Sequence, residues 1–479
     1  MSEERETDVR RWFERNFGVT EEVVRGVLSE AMSRGGDFAD LYFQHTVGTS
    51  LSLEDGAVNK ASTTVDLGVG IRVVSGDATG YAFTEDLSPE AMRAAARTAA
   101  GIAAGGGGRV PEALTPRRHP AYYDVAYDWA AVELERLLPL VEGMSARAHE
   151  MDEAVRQVQA GFGASQTHVM VVDSEGRVSA DNKPMTRAYL SVVMEKGGVH
   201  NTNYANLAAR EGLDFYTQQR LDRMVKKAVD RTRILFEARK PPQGELPVVL
   251  AAGSSGILLH EAIGHGMEAD FNRKGKSIFS DKIGQPVAEP FVSIVDDGTN
   301  PGMRGSINFD DEGTSSQRTV LVEGGILRSY MHDRISARHY GVEPTGSGRR
   351  QSFRHAPLPR MRNTYMLPGP HTKEEIIRSV KKGVYAVSFT NGQVNIGAGD
   401  YAFYVKNGWL IEDGRLTAPI RDVNLIGNGP ESLARITMVG DDFEMDEGGW
   451  TCGKEGQSVP VSLGMPTVKV SAITVGGSK

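Results

Sequence analysis

Val65-Asp66-Leu67-Gly68-Val69-Gly70-Ile71-Arg72-Val73 carries an apolar side chain at every second position, with a polar residue or glycine between. A two-residue period is the pattern of a strand that buries one face. Glu54-Asp55-Gly56 just upstream has the composition of a tight turn, so the stretch reads as the second arm of a hairpin. Further upstream the period changes to that of a helix. Val23, Val24, Val27, Leu28 and Ala31 recur at helical spacing over residues 21–32, and Thr20 stands where it would cap the first turn. Downstream, Ser88-Pro89-Glu90 supplies a cap, a first-turn proline and an early acid for an alanine-rich helix reaching about Ala104. Gly105 to Gly108 end it; they lack the following Lys and Ser/Thr of a phosphate-binding loop and read as a flexible connection.

The same mixture continues. Helices are expected over residues 129–153 and 213–238, with strands at 169–172 and 189–194 and a turn at Glu175-Gly176. Lys240-Pro241-Pro242-Gln243-Gly244 then stops the last helix and stiffens the chain as an interdomain linker would. Beyond it strands dominate. Residues 320–322 and 326–327 flank Glu323-Gly324-Gly325, and residues 401–405 and 409–411 with the turn Glu412-Asp413-Gly414 suggest further hairpins. Thr372-Lys373-Glu374-Glu375 is a capping box for one more helix, which Gly383 ends. A chain of 479 residues exceeds one ordinary core. The fold class is therefore α+β, with an N-terminal α+β domain over residues 1–239 and a β-rich domain over residues 245–479.

Charge and composition exclude some functions. The net charge of −8 arises from 62 acidic against 54 basic side chains and gives no electrostatic footprint for direct nucleic-acid binding. MSEERETDVRRWFERNF has no apolar signal core, and no stretch approaches a membrane span, so a cytoplasmic protein is expected. Cys452 is the one cysteine, which rules out an internal disulfide and suits a reducing compartment.

Chemistry concentrates at His260-Glu261-Ala262-Ile263-Gly264-His265, behind the apparent capped helix start Ser254-Ser255-Gly256. Two imidazoles offer zinc ligands, and a carboxylate beside a ligand is placed to take a proton from water. The histidines lie five residues apart, however, which on a regular helix separates them by roughly 140° around the axis. They cannot share a metal unless the helix is bulged or broken. A π-bulge restores the common face, and Gly264 and Gly266 make a distortion affordable. A third ligand must come from elsewhere. Cys452, in Gly448-Gly449-Trp450-Thr451-Cys452-Gly453, is attractive as a thiolate on a flexible loop, while Glu268, Asp270, His339 and His355 remain alternatives.

GSSGILLHEAIGHGMEADF (residues 253–271), NFDDEGT (308–314), RMRNTYMLPG (360–369) and CGKEGQSVPV (452–461) together resemble the TldD/PmbA metallopeptidases, also called modulators of DNA gyrase, and within them the TldD branch. The resemblance covers nearly the whole chain. It implies zinc held by His260, His265 and Cys452, with Glu261 as general base. It also implies cleavage of short or unfolded peptides, and pairing either with a second copy or with a PmbA-like partner that lacks the motif. One departure is mild: Asn391-Gly392-Gln393-Val394 stands where the family often has Gly-Gly-Gln-Val.

Two polar segments invite other readings. Asp310-Asp311-Glu312-Gly313 does not match a calcium-loop spacing and reads as a solvated turn, or within the family resemblance as part of the active-site lining. Arg349, Arg350, Arg354, His355, Arg360 and Arg362 form a basic cluster able to hold a substrate carboxylate or an oxyanion, or to serve as a surface patch. An exposed sheet edge offers strand addition to an extended peptide. Two functions compete: a zinc peptidase, and a non-enzymatic modulator of a DNA-acting enzyme with structural or absent metal. Three protein ligands and a neighbouring glutamate leave a coordination position open, which favours the first.

Overall fold

The computed structural model describes residues 2–103, 108, 110–123 and 126–477, and its fold is α+β. Residues 105–107 of the expected glycine connection lie outside these. The first half runs α1 (Ser2–Phe17), α2 (Glu21–Ala31), β1 (Phe38–Glu54), β2 (Ala57–Ser75), β3 (Ala78–Thr84), α3 (Pro89–Ala100) and β4 (Thr115–Pro116). It continues through α4 (Leu134–Met151), β5 (Val155–Asp173), β6 (Arg177–Lys196), β7 (Val199–Ala209) and α5 (Gln218–Arg233). The caps are where local chemistry places them: Thr20 accepts from the Val23 amide and Ser88 from the Ala91 amide. At the predicted hairpin, Asp55 and Gly56 both take positive φ, 48° and 79°, as the tight turn between twisted strands requires. Helix α1 escaped the sequence reading; Phe13 anchors it, fully buried, in the same apolar cluster as α2 and α3.

The seven strands form one sheet, ordered β3-β2-β1-β5-β6-β4 with β7 on β6. Its helical layer follows from parity. Odd positions of β1 (Leu41, Phe43, Leu51) and even positions of β5 (Val158, Phe162, Met170, Val172) point to one side, where α1–α3 cover one end and α4–α5 the other. The opposite face packs on the second half of the chain, through Tyr42, Val169 and Val171 against Phe309 and Phe353. Here the polar side of Val65–Val73 departs from expectation. From Gly68 to Val74 both faces of β2 are buried. A Cβ at Gly68 would stand 2.2 Å from the Phe353 ring, and one at Gly70 2.4 Å from the Phe353 carbonyl, so glycine is needed for close approach. Arg72 enters the same seam and pairs with Asp40 at 2.5 Å and Glu312 at 2.6 Å, all fully buried.

That pairing has a measurable consequence. Arg72→Met would leave two carboxylates buried against one fewer cation, and breaking a buried pair from one side costs about 3–5 kcal/mol. The shift in urea midpoint should report a loss of that size, with part recovered when Glu312→Gln is added. A loss under about 1 kcal/mol would show that the seam tolerates free carboxylates.

Residues 240–243 join the halves without helix or strand. The second half begins with β8 (Gly244–Leu250), α6 (Gly256–Leu259), α7 (Ala269–Arg273), β9 (Ile294–Asp297), β10 (Arg318–Glu323), β11 (Ile326–Leu327), α8 (Arg334–Tyr340), β12 (Gly348–Arg349), β13 (Leu358–Pro359) and β14 (Asn363–Met366). It then runs α9 (Lys373–Arg378), β15 (Lys382–Val394), β16 (Asp400–Glu412), β17 (Arg415–Asn428), α10 (Gly429–Ala434), β18 (Ile436–Val439), β19 (Glu444–Met445), β20 (Thr451–Lys454), β21 (Gln457–Pro460), β22 (Ser462–Met465) and β23 (Val468–Gly477). One six-stranded sheet is ordered β11-β10-β9-β14-β22-β19 and another β17-β16-β15-β8-β23-β18; because β17 also pairs with β23, the second closes on itself. Val248, Leu250, Phe389 and Phe403 from this sheet and Leu463 from the other enclose Leu258, Leu259 and Ile263 of the segment after β8.

The capping box at Thr372 and Glu375 forms as expected. Two local readings fail. Residues 401–405 and 409–411 are one strand, β16, because Asn407 between them is buried and bonded to Asn203, Ser388 and the Arg231 carbonyl, which leaves it nothing to gain from a turn. Gly383 lies in β15, after α9 has already ended at Arg378. Among the described residues no helix is long and apolar enough to cross a membrane.

Candidate metal centre

Strand β8 delivers the chain through a tight turn into α6, where a Cβ at Gly256 would meet the backbone of Gly464 on β22 at 2.7 Å. Ser255 does not cap this helix; its hydroxyl is buried without a partner, and the Ser254 hydroxyl donates instead to the Val387 carbonyl of β15. After one α-helical turn the geometry changes. His260–Gly264 is π-helical, with the His265 amide donating to the His260 carbonyl, and His265–Met267 tightens to a 3-10 turn. The bulge inferred from the five-residue spacing is therefore present. It brings the two imidazoles to one side, 5.1 Å apart between ring centroids. Gly264 serves packing as much as bending, since a Cβ there would lie 2.2 Å from the Met361 sulfur.

Cys452 meets these rings from β20. Its Sγ lies 3.5 Å from His265 Nε2, and one donor atom from each of His260, His265 and Cys452 falls within 4.8 Å of the others. All three are buried, at 1%, 3% and 1% exposure. The expected flexible loop around Cys452 is instead a hairpin. Cys452 pairs with Val459 of β21, and Arg360 donates to its carbonyl at 2.6 Å, so the thiol is held rather than brought in on demand.

The electrostatics favour a metal-ready thiolate. Burial pushes the Cys452 thiol up, but His260 and His265 outweigh it and hold the thiol well below its ordinary value. Burial likewise pushes His265 down, yet Glu268 and Cys452 hold it well above the usual imidazole value. Glu268, a candidate ligand by sequence, takes a different place: its Oε2 lies 2.9 Å from His265 Nδ1, on the far side of the ring from Cys452. Burial would raise Glu268, but Lys454 and then His265 bring it to about 2. Lys454 Nζ sits 3.1 Å from Glu268 and 2.7 Å from Asp270, which removes Asp270 from candidacy as well. Strand alternation was the available signal for Lys454, which lies two residues beyond Cys452 and so on the same buried face.

The set fits zinc. Two imidazoles and a thiolate are borderline-soft donors, and zinc bonds of about 2.0–2.3 Å place tetrahedral donors roughly 3.3–3.8 Å apart. The Nδ1 atom of His260 is buried with no hydrogen-bond partner, a state that metal ligation through Nδ1 would explain and that an unmetallated core histidine would rarely show. Glu261 stands apart from the ligand set. Its side chain is 21% exposed and its Oε2 lies 3.9 Å from His265 Nε2, beside the donors yet open to solvent.

Other sequence candidates are not brought here. His339 is exposed on α8, and His355 is beside Ser352 at 3.2 Å. Asp310, Asp311 and Glu312 are buried, at 0%, 7% and 2% exposure, not solvated. Asp310 accepts from the amides of Glu312, Thr314 and Gly348, Asp311 pairs with Lys183, and Glu312 with Arg72, so the segment fastens the two halves together. The basic cluster divides: Arg350 goes to Asp40, Arg354 to Asp66 and Glu85, and Arg362 to Asp296, while Arg360 stays at the centre on the Cys452 carbonyl.

Glu268 supports a prediction. A carboxylate on the rear nitrogen fixes the ring and raises its basicity, and losing such a partner typically costs 10–100-fold in metal affinity, so Glu268→Gln should release zinc to a competing chelator about that much more readily. Because a metal must displace the proton that Glu268 and Cys452 make His265 hold more tightly, zinc retention in the unaltered chain should also fall as pH falls. Chelator titrations at several pH values check both, and equal retention by Glu268→Gln would assign that carboxylate to packing alone.

Comparison with known proteins agrees in extent with this architecture. Models of the PmbA/TldA metallopeptidase match in three parts: domain 1 over residues 39–103, the central domain over 127–236 and the C-terminal domain over 243–477. A Haemophilus influenzae protein named metalloprotease TldD homolog is 41% identical over 449 residues, spanning 92% of this chain and 93% of its own. A Saccharolobus solfataricus protein named zinc metalloprotease TldD homolog is 28% identical over 455 residues, spanning 94% and 99%. Among solved structures, a Thermotoga maritima protein described as a candidate modulator of a DNA gyrase superposes with TM-score 0.78 at 21% identity, covering 95% of this chain and 100% of its own. TldE from Thermococcus kodakarensis gives TM-score 0.74 at 19% identity, covering 95% and 100%. These two likenesses establish a shared fold.

Proposed function

The chain belongs to the PmbA/TldA metallopeptidase family, and from that premise we propose that it is a zinc-dependent peptidase acting on short or unfolded peptides. The observation that carries this reading is the convergence of His260, His265 and Cys452, 187 residues apart in sequence between the last two, with Glu261 at the rim. Relatives named metalloproteases support the class of reaction, and one named a zinc metalloprotease supports the metal.

In this reading His260, His265 and Cys452 hold the zinc and leave a position open. Zinc bound there supplies Lewis acidity toward a scissile carbonyl and toward water. Glu261 takes the proton from that water at its carboxylate and returns it to the departing amine, a task that needs a carboxylate at the ligands but outside them. Glu268 orients His265, and Lys454 keeps Glu268 ionised within the protein interior. Pairing with a second copy or a PmbA-like partner, and a cytoplasmic location, belong to the same proposal, supported by the family resemblance and the lone cysteine.

Metal analysis of the purified chain together with cleavage of an unstructured peptide tests the reading. One zinc per chain and cleavage abolished by a chelator and restored by zinc are expected. Zinc absent at neutral pH, or cleavage indifferent to chelator, would favour the non-enzymatic alternative.

A further inference from the structure

At the seam between the sheet's inner face and the second half lies a cavity of about 180 Å³. Lys183, Arg210, Arg349 and Arg350 line it, against the single carboxylate of Asp311. That carboxylate is already engaged, by Lys183 Nζ at 3.1 Å and the Arg350 amide at 2.9 Å, while the Arg350 guanidinium turns to Asp40. Arg210 and Arg349 feel that carboxylate only at longer range, and Arg210 also stands 5.3 Å over the Tyr123 ring. Arg349 donates to the carbonyls of Met361 and Pro460, and Arg210 to those of Arg304 and Pro184. Among the described residues no carboxylate forms an ion pair with either, although they are only 3% and 4% exposed.

Carbonyl oxygens satisfy N–H groups but do not neutralise charge, and buried guanidinium groups are ordinarily paired. Burial presses on both side chains, driving Arg349 down to about 10 and Arg210 below its ordinary value. Such an arrangement persists where a fork of donors is kept ready for an anion, and arginine is the residue suited to planar, two-point recognition of a carboxylate. Gln44 and Thr167 add neutral polar groups to the lining. The volume, several times the roughly 30 Å³ share of one water, admits a carboxylate with the residue that bears it.

The cavity also borders the β20–β21 hairpin that carries Cys452. Pro460, on its wall, is the β21 partner of Thr451, next to Cys452, and Arg349 lies close enough to Cys452 for their charges to interact. An extended chain advances about 3.3 Å per residue, so a site one hairpin away from Cys452 calls for only a few residues between the bound end and the cleaved bond.

We propose that this cavity binds the C-terminal carboxylate of a peptide through Arg349 and Arg210, directing cleavage to the last few residues of short chains. The inference rests on the peptidase reading above. It is tested by binding rather than turnover, using the zinc-loaded Glu261→Gln chain and one fluorescent hexapeptide made with a free C-terminal acid or with an amide. The acid should bind at least about 10-fold more tightly, a difference of 1.4 kcal/mol. Arg349→Met should bring the acid to the amide's level and leave the amide unchanged, and Arg349→Lys should fall between. Equal affinity for acid and amide in the Arg349 chain overturns the proposal without requiring any cavity variant to fold. Equal weakening of both peptides by Arg349→Met also overturns it, by assigning Arg349 to holding the seam. Inorganic phosphate titrated alone separates a free-anion site: saturable phosphate binding with no preference between acid and amide refutes a substrate-end role. Cleavage by the unaltered chain with no preference for the acid refutes this subsite and leaves the peptidase reading standing. Acid-selective binding without cleavage does the reverse.

Discussion

Glu261→Gln is expected to keep zinc at the level of the unaltered chain and to lose peptide cleavage by about 10²–10⁴-fold, the usual contribution of a positioned general base. The separation of the two effects is what the geometry demands. Glu261 lies one residue from His260 and its Oε2 is 3.9 Å from His265 Nε2, yet His260, His265 and Cys452 already supply three donors. Glutamine preserves shape and polarity but cannot accept a proton from water at neutral pH. With the side chain 21% exposed, the exchange should leave folding nearly unchanged, since substitutions away from buried networks usually fall within about 0.5 kcal/mol. Zinc content by mass spectrometry and kcat/KM on one unstructured peptide decide the matter. Lost zinc would make Glu261 a ligand, and unimpaired cleavage would remove it from the reaction.

How much of this is legible in the sequence depends on the distance over which each cause acts. Thr20, Ser88 and Thr372 cap helices through atoms three residues away, and Asp55-Gly56 turns the chain within a single hairpin, so these were legible. The π-turn was legible for a different reason: two histidines five apart cannot share a face on a regular helix, and the mismatch itself predicted the distortion. Asp310-Asp311-Glu312 misled because its polarity is answered from far away, by Arg72 and Lys183 in the other half. No local pattern reports such a partner. Asn407 misled in the same way, as a turn-forming residue whose hydrogen bonds run to Asn203 and the Arg231 carbonyl. Cys452 entered the candidate set as a thiolate and through the family resemblance, but its placement on a strand, and with it the role of Lys454 beside it, needed the fold. Polar residues that join the halves are thus the hard class, and the unpaired Arg210 and Arg349 belong to it.

Cys452→Ser should be the most damaging change to metal retention. A serine hydroxyl is a poor zinc donor at neutral pH, whereas the thiol here, though pushed up by burial, is held well below its ordinary value by His260 and His265 and would meet a metal as thiolate. Removing a direct ligand should exceed the 10–100-fold typical of an outer-shell partner, so a loss of at least about 100-fold in zinc affinity is expected. Linkage turns that into stability. At a zinc concentration 100 times its dissociation constant, binding contributes about 2.7 kcal/mol to the folded state, and a 100-fold weaker site retains only about 0.4 kcal/mol of it. The melting temperature of the unaltered chain should therefore rise on adding zinc to the chelated protein, while that of Cys452→Ser should hardly move. Folding without metal should survive, because the β20–β21 hairpin and the Arg360 bond to the Cys452 carbonyl use backbone atoms that serine keeps. A metal-free melting temperature close to that of the unaltered chain would separate ligand loss from general damage. Should Cys452→Ser retain zinc after dialysis and show the same zinc-dependent rise, the third donor must be sought among groups able to replace it. Glu261 already lies beside the donors, whereas Glu268 would first have to leave both His265 and Lys454. That exchange would expose its own signature, since freeing Lys454 from Glu268 leaves Asp270, among the described residues, as the only carboxylate paired with its buried ammonium.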